Sequence, residues 1–219
     1  VCIILGAGCD IQGLITLSGV GCSVICENSV DLDGILASGD DAYVNGGGWD
    51  TISDGGIAND AIDVTGDDGI IENIAVQTTA GGGQAYDGVD VTGGSRSIVH
   101  AVKVVASDDQ GINLGTDALA LGCVILAVDD RGLTIGSAGR ARVIGNYITE
   151  SASATGAVTV GGAGDNSVMV GNIVQDPTGD SIDIDSGGEN CVAVGNRVDG
   201  GIDDNSGTST VAQNDATAF

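Results

Sequence analysis

The sequence predicts an all-β solenoid, one strand motif wound about nine times along a single domain spanning residues 1–219. Three observations predict it. Asp87-Gly88-Val89-Asp90-Val91, Asp109-Gln110-Gly111-Ile112-Asn113-Leu114 and Asp130-Arg131-Gly132-Leu133-Thr134-Ile135 each read turn, glycine, then apolar-polar-apolar, the pattern of a short strand with one buried face. The first apolar position recurs at Leu14, Ile35, Ile62, Val89, Ile112, Leu133, Val158, Ile182 and Ile202, in steps of 20 to 27 residues averaging about 23.5. A period of that size marks a repeat whose neighbours share one continuous core. Composition agrees: 39 glycines, one proline and 2% aromatic residues suit narrow sheets and tight corners, not long helices.

Taken in order, residues 1–30 hold Leu14-Ile15-Thr16-Leu17 and Ser23-Val24-Ile25-Cys26, read as the first one or two coils. A solenoid end needs a cap, and no amphipathic helix is visible there, so residues 1–12 read as an incomplete one. The coils then lengthen. Extra residues fall at 42–50 and 80–86, two glycine-rich outside loops expected side by side. A second strand family opens the later coils, and its last three copies, Ile144-Gly145-Asn146-Tyr147, Val170-Gly171-Asn172-Ile173 and Val194-Gly195-Asn196-Arg197, share Gly-Asn at spacings of 26 and 24 residues. Those asparagines read as a structural ladder of stacked amides at a bend between two sheets. Residues 203–219 are expected to be irregular, apart from a partial coil at Val211-Ala212-Gln213-Asn214, with Phe219 placed to plug the last rung.

The formal charge of −25, from 31 acidic and six basic residues, excludes function classes. Nonspecific nucleic-acid binding comes from Lys and Arg, so neither nucleic acid nor an anionic membrane surface is an expected partner, and no apolar run is long enough for membrane insertion. Acidity of this kind suits solubility in a saline or extracellular setting, or cation binding. Of six cysteines, Cys123 and Cys191 sit beside apolar strand positions and read as small core residues. Pairing among Cys2, Cys9, Cys22 and Cys26 is left open, and Cys22-x3-Cys26 without a nearby histidine is a weak zinc signal.

Coils of this length, with Gly-[Val/Ile]-x-[Val/Ile] strands and a Gly-Asn turn, resemble the right-handed parallel β-helix of pectate lyases, polygalacturonases and phage tailspikes, over roughly residues 10–215. The resemblance implies apolar columns stacked about 4.8 Å apart inside a narrow core. It also implies an outward polar ladder of Asp63, Asp90, Asn113, Thr134, Thr159, Asp183 and Asp203.

Spacing alone sets Asp108 above Asp129 and Asp109 above Asp130, with Asp87 a coil earlier, 21 residues before Asp108. Like charges so close raise one pKa, which suits a general acid. Tyr86-Asp87-Gly88-Val89-Asp90 and Ser107-Asp108-Asp109-Gln110 are similar to the Asn-Thr-Asp-Gly and Gly-Asp-Asp signatures of polygalacturonase-type hydrolases. That similarity implies Asp108 as acid, Asp87 and Asp109 as residues handling water, and Asp130 on the next coil. The family's Gly-His-Gly is replaced by Asp130-Arg131-Gly132, and Arg140-Ala141-Arg142 matches its basic uronate-binding tripeptide only loosely. The competing reading is that such pairs are turn residues, since Asp40-Asp41, Asp67-Asp68 and Asp203-Asp204 recur at the same kind of position. Asp108, Asp109, Asp129 and Asp130 are the candidate calcium ligands; no cofactor is otherwise required. Tyr43, Trp49 and Tyr86 are candidate sugar-stacking residues, with Arg131 a further substrate contact. The function expected is that of a phage tail or tailspike-like β-helix binding host-surface glycans, with or without cleavage, outside the cell or on a virion, with a homotrimer or other virion proteins as partners. The alternatives are a secreted glycoside hydrolase or polysaccharide lyase, and a non-catalytic β-helix of an adhesin or filament.

Overall fold

A computed structural model of the chain describes residues 1–27, 30–46, 51–53, 60–77, 86–136, 139–149, 151–153, 155–162, 164–175 and 179–215. All strands pair in parallel with the strand one coil away, in a 10-stranded sheet and a 16-stranded sheet that folds back as two faces. The result is a right-handed parallel β-helix, the hand favoured for connections between parallel strands. We call the sheet from Cys2–Leu5 to Thr210–Ala212 the first face, the strands from Thr51–Ser53 to Arg197–Val198 the second, and those from Ile62–Val64 to Ile202–Asp204 the third. Among the described residues no helix is long and apolar enough to cross a membrane.

The nine expected coils resolve into two kinds. Seven turns, from Tyr43–Gly46, Thr51–Ser53 and Ile62–Val64 to Val192–Val194, Arg197–Val198 and Ile202–Asp204, carry three separate strands. The two turns before them carry two, because Asp10–Leu17 and Asp31–Ala37 each run around a corner without a break. Asp31–Ala37 is the junction: its start pairs with Thr51–Ser53 and its end with Ile62–Val64. In this region one expectation needs correcting. Ile15, not Leu14, lies opposite Ile35, and Leu14 faces Gly34. A register shift between Ile11 and Leu14 moves the strand by one position, which in a sheet exchanges inward and outward residues; Leu14 is exposed accordingly.

Elsewhere the expected column holds. Ile62, Val89, Ile112, Leu133, Val158 and Ile182 are in register on successive strands and at most 1% exposed. The glycine of the repeated motif has a steric cause. A Cβ on Gly111 would lie 2.5 Å from the Gly132 carbonyl oxygen, and one on Gly88 2.7 Å from that of Gly111. Coils approach so closely at this corner that a side chain there would push them apart.

Two other corners are stacks of left-handed residues. At one, Asp41, Asp68, Arg96, Asp117, Arg140, Asn166 and Asn190 have φ of 55–69°, and their N–H groups donate to carbonyls on the next coil, as from Asp68 to Ser95 at 2.8 Å. The Asp40 and Asp67 carboxylates accept from the next coil's backbone, at Asp67 and Ser95 respectively, so these Asp-Asp pairs are turn residues. Arg96 pairs with Asp67 and Asp68, and Arg140 with Asp117. At the other corner Asn73, Ala101, Gly122, Gly145, Gly171, Gly195 and Gln213 have φ of 51–66°.

The residues after the last four of these glycine-corner positions, counting from Gly145, form the asparagine ladder. The Asn146 side-chain amide donates to Asn172 Oδ1 at 3.0 Å, Asn172 to Asn196 Oδ1 at 2.9 Å, and Asn196 to Asn214 Oδ1 at 3.0 Å. Asn146, Asn172 and Asn196 are 1% exposed, and each Nδ2 also reaches a carbonyl of the preceding coil. Buried amides are tolerated because they are paired in this way. All six cysteines are free thiols, with Cys22, Cys26, Cys123 and Cys191 buried. The expected loop at 80–85, the end of the loop at 47–50, Trp49 and Phe219 lie outside the described residues.

Candidate functional site

Two rows of side chains meet on the third face. One is the outward position of its strands, which runs Asp63, Asp90, Asn113, Thr134, Thr159, Asp183 and Asp203 in unbroken register. The other lies in the turn leading into those strands, two residues before the first inward position: Asp60, Asp87, Gln110, Arg131 and, beyond Gly156, Asp180. A strand places its side chains alternately in and out. The adjoining turn row therefore rims the outward row.

Contrary to expectation, the outward row is not exposed throughout. Thr134, Thr159 and Asp183 are 8%, 4% and 7% exposed, because the turn at 151–156 closes over them. Gly156 sits so close that a Cβ there would lie 2.9 Å from Asp183 Cβ, and its carbonyl accepts from the Thr159 hydroxyl at 3.4 Å. The row is thus the floor of a groove, open at Asp63 and Asp90 and roofed further on.

Asp87 is the most buried carboxylate of the groove, at 6% exposure. Its Oδ1 accepts from the Gln110 backbone N–H at 3.0 Å, and its Oδ2 accepts from the Asn113 side-chain amide at 3.1 Å. Its own N–H donates to Asp60 Oδ1 at 2.7 Å. Burial, then the Asp60 carboxylate, push Asp87 up to about 7 against the relief from Gln110 and Asn113. Burial likewise raises Asp60 to about 6, eased by that backbone hydrogen bond and reinforced by Asp90, Asp63 and Asp109. Asp63 rises through burial and Asp90; Asp183 rises to about 6 through burial, then Asp185, Asp203 and Asp180, with Arg131 opposing.

The expected stacks across the rim are only partly as spacing implied. Ser107 bridges Val128, which carries Asp108 alongside Asp129 and Asp109 alongside Asp130. Asp109 is raised by burial and by Asp130, and lowered by Gln110 and Arg131. Asp87, however, does not lie under Asp108. The coil from Val89 to Ile112 is 23 residues long, two more than the next, so Asp87 faces Gln110 instead. Asp108 is half-buried and Asp129 exposed. Arg131 reaches Asp130 at 3.6 Å.

The four aspartates proposed for calcium do not converge: among the described residues no three Asp, Glu, His or Cys side chains come together as a metal site. Nor do the aromatic residues meet. Tyr43 opens a first-face strand, where its hydroxyl donates to Glu72 at 2.6 Å, whereas Tyr86 stands half-buried at the groove rim beside Asp87. His100 also lies on the first face, 3.6 Å from Glu72. A hollow of about 310 Å³ sits at the asparagine corner, lined by Ile74, Val102, Lys103 and Val124 among others, away from the carboxylates.

Sequence reasoning missed Asp60, Gln110 and the role of Asn113, Thr134 and Asp183. Five buried polar atoms in this groove, Gln110 Oε1, Asn113 Oδ1, Arg131 Nε, Thr134 Oγ1 and Asp183 Oδ1, have no hydrogen-bond partner within the protein. Buried polar atoms are rarely left so. Such a concentration on successive coils marks a surface built to be met by something else.

No protein-family model matches the chain, and no curated protein matches it. Among solved structures it is similar to that titled "Crystal structure of pectate lyase Pel9A", with a TM-score of 0.67 and 14% identity, covering 99% of this chain and 70% of that one. At that identity the likeness shows the fold, a pectate-lyase-like parallel β-helix, and the fold alone.

Proposed function

We propose that the third-face groove binds a polysaccharide along the helix axis and cleaves it by carboxyl acid–base chemistry. The observation that carries this reading is Asp87: a carboxyl 6% exposed, titrating at about 7, on a floor lined with unpartnered polar atoms. A carboxyl of that pKa stays protonated near neutral pH and can protonate a glycosidic oxygen, while a lower-pKa carboxylate activates water. Asp109 and Asp130, stacked on the rim beside Arg131, are the carboxylates for that second role. Asn113 serves either state of Asp87. Its amide donates to the carboxylate, and with the amide turned, its otherwise unpartnered Oδ1 accepts from the acid. Cleavage by β-elimination would instead draw on Arg131 as base.

One observation favours a second reading, glycan binding without cleavage, as in a tailspike, adhesin or filament: both Asp87 oxygens already accept hydrogen bonds. Homotrimers or neighbouring virion proteins belong to that reading, and an extracellular or virion-surface setting fits both. A panel of polysaccharides, assayed for new reducing ends and for the ultraviolet absorbance of unsaturated products, separates them. Hydrolysis abolished by Asp87→Asn supports the first reading. Binding without cleavage supports the second, and neither binding nor cleavage across the panel overturns both.

A further inference from the structure

Building on that reading of the third face, we infer that the glycan it takes carries amino groups, so that its charged sugars are cationic and not uronic acids. Two stacked carboxylate pairs bracket the groove. Asp63 lies beside Asp90, and Asp183 beside Asp203, each in register on adjacent strands. Strands lie about 4.8 Å apart, a separation at which like charges repel appreciably even in water and more so when half-buried. Among the described residues none of these four carboxylates forms an ion pair; Arg131, the cation of this groove, is engaged with Asp130. Arg96 and Arg140 are held at a different corner by Asp67, Asp68 and Asp117.

The unmet hydrogen-bonding capacity points the same way. Thr134 and Asp183 are each more than nine-tenths buried, yet Thr134 Oγ1 and Asp183 Oδ1 have no partner. Asp183 Oδ1, Gln110 Oε1 and Asn113 Oδ1 are all acceptors, so the groove lacks donors. An ammonium group offers three donors and a positive charge; a uronate offers further acceptors and a further negative charge. The coil spacing is close to the length of one hexose along an extended chain. Successive sugars would therefore present successive amino groups to successive rungs of the ladder.

The test uses three hexamers of matched length, a fully deacetylated glucosamine oligomer, its N-acetylated counterpart and an oligogalacturonate, with binding measured by calorimetry just below neutral pH at physiological salt. The deacetylated hexamer is expected to bind about tenfold more tightly than the acetylated one, equivalent to about 1.4 kcal/mol, and the galacturonate most weakly, with or without calcium. Asp63→Asn with Asp90→Asn should remove that preference. Asp40→Asn with Asp41→Asn removes the same charge at the left-handed corner and should leave it intact. Equal losses in both doubles would show only attraction of a polycation to a chain of charge −25, and would overturn the inference. Tighter galacturonate binding, or equal binding of the acetylated hexamer, would overturn the amino-sugar assignment while leaving a glycan groove in place. Failure of every glycan to bind or be cleaved would remove the reading beneath it.

Discussion

Replacing Asp87 by Asn should make the protein more stable at alkaline pH and barely alter it in acid. The carboxyl rises from 3.8 to about 7 in the folded chain. Because the folded pKa lies above the unfolded one, the folded state holds a proton that the unfolded state has released between those values. Stability therefore declines as pH climbs from about 4 to about 7, and the whole penalty is present above that. At about 1.4 kcal/mol per unit, three units amount to roughly 4 kcal/mol, part of it repulsion shared with Asp60. Asparagine keeps the acceptor for the Gln110 N–H, and a turned Asn113 amide accepts from the new Nδ2 through an oxygen that has no partner now. The variant should thus gain about 1 to 4 kcal/mol near pH 8. For a chain of this size that is a rise in Tm of about 2 to 4 °C per kcal/mol. Thermal unfolding of both proteins at about pH 4 and pH 8, bracketing the window set by linkage, provides the assay. A variant less stable than the parent at both values, or a parent that gains stability between them, would refute the burial argument.

Salt should raise the melting temperature of the parent between low and physiological ionic strength, because the Asp63–Asp90, Asp109–Asp130 and Asp183–Asp203 stacks repel and screening weakens that repulsion; melting curves with calcium or chelator at matched ionic strength separate screening from ion binding. Asn172→Ala should cost at least about 3 kcal/mol in denaturant unfolding, since it strands the buried Asn146 N–H and amide along with the Val143 carbonyl, each worth about 1–3 kcal/mol. Ala101→Gly should stabilise by about 0.5–1 kcal/mol, because Ala101 holds φ 51° in a row otherwise dominated by glycine; a loss of stability would show that its methyl group packs usefully at that corner.

The fold was legible because a parallel β-helix writes its core in one dimension. Ile62 to Ile182 share a column since each coil must place the same kind of residue at the same height, and the Gly-Asn repeats mark a corner for the same reason. Asn214 continues that ladder only 18 residues after Asn196, a spacing too short for the pattern to reveal. The site was harder to see. Spacing identified Asp109 above Asp130 within coils of equal length, but the coil between Asp87 and Asp108 carries two residues more, which no local motif announces. Asp60 stood 27 residues before Asp87, the step that separates Ile62 from Val89, so the turn row was recoverable by following it one coil further back. The closing of the 151–156 turn over Thr134, Thr159 and Asp183 was not, because a turn's direction depends on the coils above and below it.

The most direct test of the groove is to follow the resonances of the chain by nuclear magnetic resonance while titrating a glycan identified by the polysaccharide panel. If the third face is the working surface, the largest shifts fall on the side-chain amides of Gln110 and Asn113 and on the backbone of Thr134 and Thr159, while the outward first-face residues Ile98, Leu119 and Ile144 stay where they are. Shifts confined to the first face, with Gln110 and Asn113 unmoved at saturation, would contradict it.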